Sequence, residues 1–204
     1  YSSQKKKNID KSRTLGISSS NLEFFNQNIL NIDKLSWSIE QIKIFTDNLK
    51  NEKVLEFKKK NKKLFSIQKN YDLYNFLESA LKKNFLYKNL NYKNFKSQNY
   101  DLIINCDRES FYSKKYFFKR MTKNYKSHAY TTIIDHKKLR NNNIAVQIFT
   151  KKGPLAFLPI SEFETSIVYS LNNLLVKKNK NIIDLINQYN FKYNIKKIKE
   201  VKTF

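Results

Sequence analysis

The sequence predicts an α+β fold in which a mostly antiparallel β-sheet follows a first half where helices and strands alternate. Three observations carry that prediction. From residue 129 to 170 the runs AYTTIIDH, IAVQIFT, LAFLPI and ETSIVYSL succeed one another with short polar breaks, the pattern of an antiparallel sheet. In residues 70–84, Leu73, Phe76, Leu77 and Leu81 fall at helical spacing, with lysines at the end where the helix dipole favours cations. Residues 101–107, DLIINCD, are a short apolar run bounded by acids, which reads as a buried strand presenting Asp107 at its C-terminal end.

In chain order, residues 1–18 are polar and basic, and the serines of SSSNLEFFNQN (18–28) precede Leu22, Phe24 and Phe25 as the capped start of a short helix. SIEQIKIFTD (38–47) alternates Ile39, Ile42 and Ile44 with polar residues, and KVLEFKK (53–59) alternates apolar and charged ones. The two are expected to form a half-exposed antiparallel pair. The lysine run at 58–63 reads as a solvated loop. Cys106, inside the apolar run, is expected to be a small core residue. The two prolines, Pro154 and Pro159, sit at the edges of the LAFLP run, where a missing ladder donor is tolerated. IIDLINQYNF (182–191) reads as a helix and IKKIKEVKTF (195–204) as the start of a further strand.

Composition narrows the function classes. A length of 204 residues suits one domain, or one and a fraction. With 40% hydrophobic and 15% aromatic residues the chain is globular rather than disordered. One cysteine excludes an internal disulfide, and Cys106 with His128 and His136 cannot supply the ligands of a structural zinc site. No run approaches the roughly 18 apolar residues of a membrane helix, and the N-terminus lacks a signal-peptide core. A reducing, cytoplasmic setting is therefore expected.

The net charge of +23, from 40 Lys and Arg against 17 Asp and Glu, ordinarily points to nucleic acid or an anionic membrane. Here the excess is almost wholly lysine, in company with abundant Asn, Ile, Phe and Tyr, all encoded by A/T-rich codons. Arginine, the usual reader of bases and phosphates, occurs only at Arg13, Arg108, Arg120 and Arg140, which disfavours a nucleic-acid partner. Glycine occurs twice, at Gly16 and Gly153, against a usual share of roughly 7%. Neither G-x-G-x-x-G nor a P-loop can be present, because each needs several glycines where backbone meets phosphate.

Four segments in order carry a resemblance. DKSRTLGISSSNLEFF (10–25) resembles a D-x-R-x-x-A-L-S-x-x-S stretch, with Arg13 in the arginine's place and Gly16 where alanine is usual. FSIQKNYDLYNFL (65–77) resembles a segment in which an acid and an asparagine precede an L-x-x-x-L helix; Asn70 matches, and Lys69 stands in place of the acid. DLIINCDRES (101–110) resembles a D-L-V-I-G-A-D-G strand and turn, keeping Asp107 and replacing the glycine with Arg108. QIFTKKGPLAFLPISEFETSIVYSL (147–171) reproduces F-x-x-x-G-P-x-A-F-L-P-L followed by a strand reading S-I-V-W-S. Together they resemble the ubiquinone-biosynthesis branch of the group A flavin monooxygenases, over nearly the whole chain.

That resemblance implies part of a Rossmann-like FAD domain, expected at 1–110, and a mostly antiparallel substrate-domain sheet with its following helix, expected at 111–204. It implies FAD as cofactor, NAD(P)H and O2 as co-substrates, and hydroxylation of the ring of a polyprenylated, lipid-like phenol. By the same resemblance Arg13 approaches the FAD phosphates, Asp107 sits beside the cofactor, and Phe157, Leu158 and Pro159 line the cavity for flavin and substrate. For Arg13 the alternative is a surface pair with Asp10, for Asp107 a capping role, and for the other three a place in the core. Peripheral association with the inner membrane face, or with a ubiquinone-biosynthesis complex, follows from the lipid-like substrate. The family's glycine-rich motifs belong before residue 1 and after residue 204, so a fragment, poor at retaining FAD alone, is expected. The alternatives are a degenerate, non-catalytic paralogue and a small basic nucleic-acid-binding protein. Asp135 beside His136 is not read as a catalytic pair, because neighbours on a strand point to opposite faces.

Overall fold

The computed structural model describes residues 10–47, 52–58, 63–88, 100–107, 110–117, 119, 121, 123, 125, 127–172 and 182–204. The chain divides into two compact units, one of residues 10–77 and 126–204, the other of 1–9 and 78–125. The first holds every described strand. It opens with β1 (Thr14–Ser18) and α1 (Ser19–Asn28), where Ser18 is the expected cap, its hydroxyl accepting from the Asn21 amide at 3.3 Å. A 3-10 turn (Asp33–Leu35) leads to β2 (Trp37–Ile39) and β3 (Gln41–Thr46). β4 (Lys53–Lys58), β5 (Phe65–Lys69) and α2 (Asn70–Lys82) follow.

The run read as one strand over 38–47 divides at Glu40, whose amide leaves the ladder to bond the Asn143 carbonyl at 3.0 Å. β2 then pairs with β5 and β3 with β4, so one stretch of sequence serves two sheets. The expected antiparallel pair of β3 and β4 is present, with β4 exposed along its length. Residues 59–62 of the lysine run lie outside the described residues.

The four runs read as strands after residue 129 are β6 (Ser127–His136), β7 (Ile144–Thr150), β8 (Gly153–Pro159) and β9 (Glu164–Asn172). They pair antiparallel, β7 to β8 to β9 to β6, and β3 joins β7 in parallel. α4 (Ile182–Tyr189), β10 (Ile195–Ile198) and β11 (Lys202–Thr203) complete the unit, and both last strands pair with β6. The resulting sheet runs β10-β6-β9-β8-β7-β3-β4, with β11 also on β6, beside a smaller sheet ordered β1-β5-β2. The chain has an α+β fold with a mostly antiparallel, mixed sheet. The larger sheet draws on both sides of residue 110.

Alternation along the large sheet gives two faces. On one, Ile134, Val146, Ile148, Leu155, Phe157, Ile167, Tyr169 and Leu171 are sealed by Ile186 of α4 and by Tyr193. Each such fully buried side chain contributes about 1.5–3 kcal/mol. On the other, Ala145 and Leu158 pack against Ile39, Ile67, Trp37 and Phe65, joining large sheet to small. The small sheet's remaining surface is covered by α1 and α2, through Leu22, Ile32 and Leu73 with Ile17, Phe25, Leu35 and Leu77.

The second unit is described by itself. Residues 101–107 are not a strand: the backbone is irregular, and Leu102 and Ile104 are 77% and 80% exposed. Cys106 is exposed as well, not a core residue. Among the described residues no strand pairs with this run, and an apolar segment gains burial only where neighbouring strands give it a ladder and a second layer. α3 (Phe111–Tyr116) follows, capped by Ser110, whose hydroxyl accepts from the Ser113 amide at 3.1 Å.

Candidate functional site

Three of the four segments that carry the resemblance meet along the seam between the two sheets. β1 and β5 are antiparallel neighbours with Thr14 opposite Lys69, and the Asn70 amide donates to the Arg13 carbonyl at 3.0 Å. From β9, Ser166 reaches the Thr14 hydroxyl at 3.0 Å, and Glu164 Oε2 accepts from Lys69 Nζ at 2.6 Å. Next to them the Ser12 and Thr131 hydroxyls bond at 2.9 Å. Lys69, at a position where an acid was expected, thus ties small sheet to large.

Glu164 also accepts from Lys199 at 2.6 Å, and Lys199 lies 3.2 Å from Asp135. Burial works to raise the Glu164 pKa, but the ammonium groups of Lys199 and Lys69 outweigh it and hold the carboxyl below its ordinary range. For Lys199 burial opposes the charge, and the bonds to Glu164 and Asp135 win, raising its pKa.

Arg13 is exposed, just before β1, with its guanidinium 4.8 Å from the centre of the Phe204 ring, a cation–π contact. Asp10, its alternative partner, takes the Ser12 amide at 2.7 Å and the Ser12 hydroxyl at 2.6 Å. The three cavity candidates on β8 divide between faces. Phe157 is fully buried on the sealed face, 6.0 Å from the Tyr193 ring and stacked with it, and 6.2 Å from Phe191, edge to face. Pro159 is buried on that side too. Leu158 points to the opposite face, where Ala156 and Val168 are also only half-buried. Of the three, Leu158 alone lies on the face turned toward the small sheet.

Asp107 belongs to the second unit. Its carbonyl accepts from the Ser113 hydroxyl at 2.7 Å and its amide donates to Asn105 at 3.3 Å, bracing the turn into α3, whose cap is Ser110. Arg108 lies outside the described residues.

Asp135 and His136 do point to opposite sides of β6, Asp135 toward Lys199 and His136 into the sealed core. There sits a polar network that sequence reading missed. His136 Nδ1 faces the Lys137 carbonyl at 2.8 Å, so it carries the proton, and Nε2 then accepts from the Thr165 hydroxyl at 3.0 Å. Thr165 in turn accepts from the Asn142 amide at 3.3 Å, and Asn142 Oδ1 accepts from both Lys192 and the Tyr193 hydroxyl at 3.3 Å. The Asn142 carbonyl also takes the Trp37 indole N–H at 2.6 Å. Burial pushes the Tyr193 hydroxyl up to about 12 and so keeps it a donor. Its one local signature, not read from the sequence, is the asparagine run at 141–143, where Asn141 adopts a positive φ of 58°.

Neither glycine marks an approach of backbone to ligand. A Cβ on Gly16 would meet the Phe65 ring at an ordinary 3.6 Å, while at Gly153 the space is already filled by the Ser170 carbonyl oxygen, 1.9 Å away. The described residues therefore offer an exposed guanidinium at Arg13 and a half-buried apolar face around Leu158, and neither glycine shapes a phosphate cradle. Among them no group of three or more His, Cys, Asp or Glu could hold a metal ion.

No family model matches the sequence, and no curated protein matches it. Solved structures do. 2,6-Dihydroxypyridine-3-hydroxylase from Arthrobacter nicotinovorans superposes with a TM-score of 0.50 at 11% identity, covering 87% of this chain and 50% of that one. The chain shares the fold of the matched half of that hydroxylase. Tetracycline destructase Tet(51) matches with a TM-score of 0.47 at 13% identity over 89% of this chain and 54% of its own. The chain thus spans about half the length of each of these structures. Among the described residues, no helix is long and apolar enough to cross a membrane.

Proposed function

We propose that the chain is the middle section of an FAD-dependent monooxygenase that hydroxylates the ring of a polyprenylated phenol in ubiquinone biosynthesis. The observation that carries this reading is the shared fold, which spans 87% of the chain; the GPLAFLP run of β8, whose wording resembles the ubiquinone branch, supports it. When bound, FAD supplies the activation of O2, with NAD(P)H as reductant. The residues of this chain bind and orient: Arg13 pairs with phosphate, and Leu158, Ala156 and Val168 present an apolar surface that excludes water from ring and prenyl chain. The lipid-like substrate brings the enzyme to the inner membrane face as a peripheral protein.

The test is reconstitution of the gene product that contains this chain with FAD, followed by NAD(P)H oxidation with and without a short-chain prenylphenol. Oxidation that rises with the phenol supports the reading, and a rate indifferent to it contradicts it. A degenerate paralogue is the second reading, favoured by the engagement of Lys69 with Glu164 at a position where an acid was expected. It predicts that the same gene product takes up no stoichiometric flavin.

A further inference from the structure

A cavity of about 370 Å³ lies between α4 and the end of the large sheet, where β3 stops and β7 turns into β8. Small-molecule sites run from roughly 300 to 1,000 Å³, so it has room for a compact ligand. Tyr169, part of its lining, belongs to the sealed core, which puts the cavity on the side of the sheet away from Leu158. It is therefore separate from the face used in the flavin reading.

The hydrogen bonds fix what the lining can offer. Thr150 gives its hydroxyl proton to the Gly153 carbonyl at 2.7 Å, so in its 3.2 Å contact with Tyr169 the tyrosine is the donor. Tyr189 donates to Asp47 Oδ2 at 3.3 Å; burial first, then the Asp47 charge, raises its pKa and keeps that proton in place. Both phenol oxygens have spent their protons and are left as acceptors. The Lys151 amide also bonds Asp47 Oδ2, at 2.9 Å. Among the described residues, Asp47 Oδ1 and the Asp184 carboxylate of α4 have no hydrogen-bond or ion-pair partner. Lys151 and Lys152 of the β7–β8 turn line the same cavity, are exposed, and hold no ion pair among the described residues. Two carboxylates and two ammonium groups thus share one small space without neutralising each other.

We propose that this cavity binds a zwitterion of the amino-acid type with an apolar side chain. Asp47, Asp184 and the two phenol oxygens receive its ammonium, and Lys151 and Lys152 receive its carboxylate. A simple cation would meet two like charges here, and so would a simple anion, whereas a zwitterion meets an opposite charge at each end. Leu185, which also lines the cavity, supplies the apolar contact.

The experiment titrates the gene product that contains this chain with isotopically labelled L-leucine and follows the ligand line width by NMR. Two half-molecules serve as comparators: isopentylamine, which lacks the carboxylate, and isocaproate, which lacks the ammonium. Leucine should half-saturate on the order of 1 mM or below, isopentylamine about fivefold higher and isocaproate at least about tenfold higher, as charge-assisted bonds are lost. Asp184→Asn and Asp47→Asn, which keep shape and leave an oxygen for Tyr189, should each weaken leucine about fivefold or more. Changing Lys151 and Lys152 together to Gln should bring leucine down to the affinity of isopentylamine. No binding of leucine below about 10 mM, equal affinity for leucine and isocaproate, or wild-type affinity in both carboxylate variants would each overturn the proposal.

Discussion

Alanine at Gly153 would place a methyl group 1.9 Å from the Ser170 carbonyl oxygen and 3.0 Å from its carbon. The obstacle is backbone, and β9 cannot retreat, because it is paired with β8 on one side and β6 on the other. Gly153 also has φ +146°, which a side chain adopts only under strain. Strained backbone costs of order 1–3 kcal/mol, and relief of the clash by shifting β8 adds a similar amount, so about 3–4 kcal/mol is expected for Gly153→Ala. For a chain of this size that lowers Tm by about 6–16 °C. Thermal unfolding followed by circular dichroism measures it, with Gly16→Ala as the matched control. There the new methyl meets only the Phe65 ring at 3.6 Å, and loss of unfolded-state freedom makes the change neutral or stabilising by about 0.5 kcal/mol. A Gly153→Ala melt within about 2 °C of wild type, or an equal drop in both variants, would refute the reasoning.

Glu164→Gln removes the carboxylate that joins Lys69 to Lys199 and should cost about 1 kcal/mol near neutral pH, a modest figure because both ion pairs are partly solvated. The folded pKa of Glu164 is depressed, so its stabilisation is present above the ordinary value of 4.5 and fades as pH falls through the folded value. Denaturant melts should therefore show the two proteins converging in acid; a difference that persists unchanged would contradict the assignment. Lys192 works the other way: with a folded pKa of about 8 against 10.5, the unfolded chain holds more protons between those values, and stability rises with pH across that window. Lys192→Met should abolish about 1–2 kcal/mol of that rise, after discounting for solvent exposure, and identical pH profiles would sink the idea. Asn142→Ala takes the shared acceptor from the buried Tyr193 hydroxyl and the half-buried Lys192 ammonium, and a donor from Thr165, and should cost about 2–3 kcal/mol by urea unfolding, with a loss below about 0.5 kcal/mol counting against the network.

The β6–β9 sheet was legible because its strands obey a local rule: runs rich in apolar and β-branched residues succeed one another with short polar breaks between them. α1, α2 and α4 followed from caps and helical spacing in the same way. β5 escaped notice because two of its buried positions are Ser66 and Gln68, polar residues whose burial is imposed by neighbouring layers rather than by their own hydrophobicity. β1 was hidden in a stretch whose residues are exposed or only half-buried. Residues 101–107 failed in the opposite sense, apolar in sequence yet exposed, since burial needs a partner strand that composition cannot supply. At the candidate site, the convergence of Arg13, Asn70 and β9 joins residues over 90 positions apart, and no local pattern records it. The lysine at position 69 read as a departure from a motif, and only the distance to Glu164 gives it a physical reason.

The most direct test of the flavin-hydroxylase account is oxygen-isotope transfer. The gene product containing this chain, loaded with FAD and given NAD(P)H, a short-chain prenylphenol and heavy-isotope dioxygen, should return a phenol that has gained one heavy oxygen on its ring. A flavin-loaded protein that consumes NAD(P)H yet leaves the phenol without heavy oxygen would contradict it.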